Sequence, residues 1–132
     1  MIINLKTETL LEESRRYVEM VVRQYLDQGL TREQLLEQAS KGLERAADTW
    51  DEHKQFAVHA LKFMHKSISV AIAAVQAGKP IPGENALTTR EREIMQSLGE
   101  GKSLRLIAEQ RGLTEKRLRE IIDDINKKIQ KQ

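Results

Sequence analysis

The segment AGKPIPGENA, residues 77–86, divides this chain. It holds both prolines and two of the seven glycines. Proline lacks an amide hydrogen and its ring clashes with the preceding turn, so no regular helix runs through it. On either side, apolar residues recur every three or four positions, the period of an amphipathic helix. The chain is therefore expected to be all-α, with helical blocks at residues 1–76 and 87–132 joined by a linker at 77–86. Its 132 residues suffice for one ordinary domain or two very small ones. There are no internal repeats and no low-complexity runs.

Three long helices are expected before the linker. The first carries Leu10, Leu11, Tyr17, Val18, Val21, Val22, Tyr25 and Leu26 and ends at Gly29, as glycine often sits just past a helix terminus. Thr31 with Gln34 forms a capping box for the second, which carries Leu35, Leu36, Ala39, Leu43, Ala46 and Ala47 towards Trp50. The third begins near Asp51 or Glu52 and presents Ala57, Ala60, Leu61, Met64, Ile68, Ile72 and Val75. Three shorter helices are expected after the linker. Thr88 with Glu91 caps the first, Ser103 the second and Thr114 the third, whose apolar side is Leu118, Ile121, Ile122, Ile125 and Ile129.

Composition narrows the function classes. Hydrophobic residues at 39% and charged residues at 32% suit a soluble helical protein. No apolar run approaches the roughly 18 residues of a membrane span, and MIINLKTETLLEESRR does not read as a signal peptide. With no cysteine there is no disulfide or thiol chemistry, and a cytoplasmic location fits. His53, His59 and His65 recur at spacing six, each about 240° around the helix from the last, so they share no face and make no metal site. GEGK lacks the remainder of a phosphate-binding loop, and no nucleophile–base arrangement occurs, so neither an enzyme nor a cofactor is expected. The formal net charge of +2 is small, but residues 87–132 hold eleven Lys and Arg against eight Asp and Glu. The carboxyl-terminal block is the basic one.

That block meets the demands of a tight bihelical DNA reader. Such a unit needs a small residue where the helices cross, a turn residue that tolerates positive φ, and apolar residues pinning both helices to a support. Ala108, Gly112 and the trio Leu113, Leu118 and Ile121 supply these. Arg111 stands where an apolar residue is usual. It is expected to lay its stem on the core and send its head to water. If Leu118 and Ile121 face inward, then Thr114, Glu115, Lys116, Arg119, Glu120 and Asp123 face outward. Lys116 and Arg119 can reach guanine or phosphate, and Glu120 can accept from cytosine. Ser103 and Thr114, at helix starts, are candidates for phosphate contacts. Arg105 and Arg117 complete the candidate DNA-binding set. A second candidate lies before the linker, where His59, Lys62 and Lys66 share one helix face and no acid occurs between Glu52 and Glu84.

LTTREREIMQSLGEGKSLRLIAEQRGLTEKRLREI, residues 87–121, resembles two families. One is the LuxR-type helix-turn-helix. The other is region four of bacterial RNA polymerase sigma factors. The amino-terminal block favours the second, because QYLDQGLTREQLLEQASKGLERAADTWD, residues 24–51, resembles sigma region two. The matching positions are Tyr25, Gly29, Leu30, Thr31, Leu35, Leu36, Gly42, Leu43, Ala46, Asp48, Trp50 and Asp51. HKQFAVHALKFMHKSISVAIA, which follows, resembles the sequel of that region. The resemblance implies a region-two-like domain, no region three and a region-four-like domain without a wing. It also implies that Gln34, Glu37 and Gln38 dock on the beta-prime clamp helices of RNA polymerase core. The third helix would then be the promoter-melting surface, with Phe56 and Phe63 at aromatic positions, His59 in place of a tyrosine and Lys62 in place of a tryptophan. Lys66 and Ser69 would face duplex DNA.

The expected function is that of a sigma-like transcription factor that binds double-stranded promoter DNA and docks on RNA polymerase core. An anti-sigma factor is a further partner that the family allows, whereas no membrane or small-molecule substrate is expected. Two other readings stand beside it: a degenerate sigma-like interaction module, and a LuxR-like regulator that does not melt promoters.

Overall fold

A computed structural model of the chain describes residues 5–132. Those residues form seven helices and no strand: α1 (Leu5–Glu13), α2 (Arg15–Arg23), α3 (Arg32–Thr49), α4 (Phe56–Gln76), α5 (Thr89–Gly99), α6 (Leu104–Arg111) and α7 (Glu115–Lys131). The protein is all-α, as its periodicity requires. None of these helices is long and apolar enough to cross a membrane. The chain divides into two compact units, one of Thr9–Glu84 and one of Asn85–Gln132 with residues 5–8. The division falls inside α1, between Glu8 and Thr9.

In the first unit α3 and α4 form the main pairing, and α2 packs on both. Leu35, Ala39, Ala46, Ala60, Met64 and Ile68 are fully buried between them, joined by Val21 and Val22 of α2. Gly42 sets how closely the two long helices approach. A Cβ built there would lie 2.6 Å from the Phe63 carbonyl oxygen and 2.8 Å from Met64 Cα. Those neighbours are backbone and cannot swing aside.

The expected first helix is interrupted. Ser14, at φ −93° and ψ 1°, separates α1 from α2. Its amide still bonds to the Leu10 carbonyl, but Tyr17 N–H reaches back only three residues, to Ser14 O at 3.0 Å. The ladder tightens by one position, and the apolar period on either side does not register the step. α2 also ends earlier than expected, at Arg23, and a turn leads to Gly29 at φ 103°. Nor does α4 begin at Asp51 or Glu52. Asp51 Oδ1 accepts from His53 N–H instead, and the Asp51 carbonyl accepts from Lys54 N–H, so the aspartate makes a turn before the helix.

Through Glu84 the Pro/Gly segment is fastened to this unit. Ile81 is buried in its core, Lys41 Nζ donates to the Gly83 carbonyl, and Gln34 Nε2 donates to Glu84 at 2.9 Å.

In the second unit α5, α6 and α7 enclose a core of Ile94, Ile107, Ala108, Leu118, Ile121 and Ile125. Arg111 corrects the sequence-based expectation. Its side chain is only 2% exposed, and its guanidinium does not reach water. Nη1 donates to Glu8 at 2.6 Å and Nη2 to Glu93 at 2.9 Å. Glu8, itself buried, also accepts a two-pronged grip from Arg90, Nε at 3.1 Å and Nη2 at 2.6 Å. The head of Arg111 stays inside because two carboxylates meet it there.

Replacing Gly42 with alanine tests the close crossing. Alanine favours helix over glycine by about 1 kcal/mol, but overpacking a rigid site costs roughly 1–3 kcal/mol or more. A net loss of stability in urea unfolding is expected.

Candidate nucleic-acid interface

Helix α6 ends in a turn fixed by backbone geometry. Gly112 adopts φ 66° and ψ 29°, the left-handed conformation that glycine reaches without a Cβ clash. Its amide bonds to the Glu109 carbonyl, and Leu113 N–H bonds to Ala108 O at 2.9 Å. This pair of bonds closes the helix and turns the chain into α7 within three residues. Thr114 then caps α7, its hydroxyl accepting from Arg117 N–H at 3.0 Å. Ser103 does the same for α6, accepting from Leu106 N–H at 3.1 Å. Both hydroxyls are therefore engaged at helix starts, where free amides and the helix dipole favour anions.

Lys116, Arg119 and Glu120 are exposed on α7, while Leu118 and Ile121 face the core. The arginines lean on carboxylates of their own helices. Arg119 lies 3.4 Å from Glu115, Arg117 lies 3.5 Å from Glu120, and Arg105 lies 3.3 Å from Glu109. The exposed pairs of Arg119 and Arg105 contribute only about 0.3–0.5 kcal/mol each, so they orient those guanidinium groups without immobilising them. Arg117 is the least available of the three, with its side chain 18% exposed. Asp124, exposed further along α7, has its carboxyl raised above the ordinary range by desolvation from the protein around it, against the pull of Lys127 and Arg117.

In the other unit, Lys62 and Lys66 are exposed along α4 together with Ser69. His59 is half-buried beside them. Its Nε2 lies 3.0 Å from Thr49 Oγ1 and its ring 4.7 Å from that of Phe63. Phe56 and Phe63 are partly buried against the core, Phe56 in edge contact with Trp50. On α3, Gln34 completes the capping box of Thr31, accepting from its amide at 2.9 Å. Glu37 pairs with Lys41 at 3.0 Å, and Gln38 is buried. No three His, Asp or Glu side chains among the described residues are grouped as metal ligands.

The structure thus gathers Ser103, Arg105, Thr114, Lys116, Arg117, Arg119 and Glu120 in one unit. His59, Lys62 and Lys66 lie in the other, as do Gln34, Glu37 and Gln38. Sequence reasoning missed Glu8, Arg90 and Glu93 around Arg111. It also missed Thr49 beside His59.

No protein-family model matches the chain. It is similar to the probable RNA polymerase sigma-C factor of Synechocystis sp., with 24% identity over 127 residues that cover 91% of this chain and 31% of that protein. The chain spans about a third of the length of that curated relative, and the match takes in both helical blocks. The likeness is distant. It suggests a relation to the sigma factors.

Asp124 gives a pH-dependent test. A carboxyl raised in the folded state binds its proton more tightly there than in the unfolded chain. Its ionisation therefore costs stability at neutral pH, and the cost fades as pH falls through the folded value. Asp124→Asn is expected to raise the urea midpoint at pH 7, with the gain shrinking on acidification and absent below the ordinary value of 3.8.

Proposed function

We propose that the chain is a sigma-like transcription factor whose carboxyl-terminal unit reads promoter DNA as a helix-turn-helix and whose amino-terminal unit docks on RNA polymerase core. The observation that carries this reading is the capped left-handed turn at Gly112, which presents the cationic leading edge of α7. The similarity to a sigma factor across both blocks supports it. In this reading α7 lies in the major groove with Lys116 and Arg119 against base edges or phosphates, and Ser103, Arg105, Thr114 and Arg117 flank them. His59, Lys62 and Lys66 of α4 form a second phosphate-holding stripe in a stretch without acids. Two sites on one chain raise effective concentration, so neither needs high affinity alone. Gln34, partly exposed, is the most accessible polymerase-facing candidate; Glu37, whose side chain is 9% exposed beside Lys41, and the buried Gln38 join it only if α3 rearranges.

A second reading is favoured by the pairing of Arg105, Arg117 and Arg119 with acids and by the engagement of Gln34 and Glu37 inside the fold. In that reading the protein binds polymerase, or a second copy of itself, without reading DNA. Reconstitution with core polymerase on a promoter library, beside a gel-shift assay without polymerase, separates the two. Sequence-selective initiation supports the first reading. Core binding with no selectivity among duplexes supports the second. Dimers on a palindrome with no polymerase association would instead mark a LuxR-like regulator.

Two substitutions sharpen the first reading. Arg119→Ala is expected to cost about 1–3 kcal/mol on the preferred duplex and to relax preference at one position. Uniform weakening on all duplexes would assign Arg119 to the backbone. Lys62→Ala with Lys66→Ala is expected to lower the slope of log affinity against log salt by about 0.9 for each phosphate that is no longer neutralised. An unchanged slope would remove α4 from the interface.

A further inference from the structure

Arg111 is the last residue of α6 and the immediate neighbour of Gly112, so whatever holds Arg111 also holds the turn. Its anchors come from far along the sequence. Glu8 is 103 residues away, on the first turn of α1, and takes Nη1 at 2.6 Å. Glu93 of α5 takes Nη2 at 2.9 Å. The buried Nε has no hydrogen-bond partner among the described residues, so these two carboxylates fix the guanidinium. Glu8 cannot drift in turn, because Arg90 grips both of its oxygens. A second residue of the same turn reaches the same place. Leu5 Cδ2 lies 3.9 Å from the point where Gly112 would carry a Cβ.

We infer that Glu8 is a positioning residue for the DNA-reading helix: through Arg111 it sets the angle at which the Gly112 turn delivers α7. This rests on the proposed reading of α7. A buried ion pair is weak evidence of stabilisation, since apolar residues of similar volume often serve as well. Its directional bonds give what an apolar contact does not, a single register for the end of α6. Thr114 opens α7 two residues beyond Gly112, so a shift at Arg111 is carried directly to Lys116 and Arg119. The first turn of α1 is then part of the reader, although most of the sequence separates it from α7.

The test compares the full-length protein with Glu8→Gln, which keeps the shape but removes the charge and turns one of the two accepting oxygens into an NH2 donor that faces an arginine N–H. Two readouts are needed. Amide hydrogen exchange at Gly112 and Leu113 is expected to quicken on the order of tenfold, with the amides of α4 unaffected. Preference for the selected duplex over a scrambled one is expected to fall by roughly tenfold while the salt slope, which counts phosphates, stays the same. Adding Glu8→Gln to Arg111→Met is expected to change little, because the residue through which Glu8 acts is already gone. If Glu8→Gln does not fold, Glu8→Asp is measured in its place, with the same directions expected. Unchanged exchange at Gly112 and Leu113, or full additivity with Arg111→Met, overturns the inference. Wild-type protein that discriminates among no duplexes overturns the DNA reading instead, and the exchange data then decide on the positioning of the turn alone.

Discussion

A charged side chain removed from water is held only by what surrounds it, and in the second unit this constraint ties three helices together. Glu8 of α1, Arg90 and Glu93 of α5 and Arg111 of α6 form a linked set of two cations and two anions. Deleting one member leaves a partner uncompensated, which typically costs about 3–5 kcal/mol where the pair is buried. The apolar core beside it is small, six buried side chains from Ile94 to Ile125. Such a core brings helices together but tolerates sliding, because apolar contact has no direction. The ionic set supplies direction, and the turn at Gly112 is built against it.

The first unit solves the same problem by steric means. Gly42 lets α3 and α4 approach until a single added carbon would meet backbone, so the crossing point is fixed by exclusion rather than by attraction. The buried Ile81 and the hydrogen bonds of Lys41 and Gln34 extend that unit into the segment that its prolines keep from being helical.

Features encoded within three or four residues were legible in the sequence. The capping boxes of Thr31 with Gln34 and Thr88 with Glu91, the caps at Ser103 and Thr114, and the positive φ of Gly112 all depend on local chemistry, and all are present. Ser14 was not legible, because the apolar period continues across it. Arg111 departs from its expectation for another reason, and Gln38, implied by resemblance to face a partner, is buried as well. Gln38 lies three past Leu35 and four before Gly42, and Arg111 lies four past Ile107. Their spacing puts both on buried faces, and it was the better signal. Glu8 lay beyond any local rule, since nothing in the sequence joins it to Arg90 or Arg111. For the candidate interface, the residue types and their helical faces were readable. The carboxylate that each arginine leans on became definite only with side chains in place.

Those leaning arginines have a consequence for selectivity among polyanions. A free guanidinium attracts any phosphate chain, whatever its shape. In the proposed DNA reading, a phosphate arriving at Arg119 or Arg105 would compete with Glu115 or Glu109 for the guanidinium or share it with them. The released carboxylate stays close and repels an ill-fitting guest. On that proposal casual adhesion would gain little, whereas a ligand whose geometry moves the acid aside and also satisfies the base edges would gain more. In that proposal each helix carries its own competitor, and visitors would be graded by fit as well as by charge.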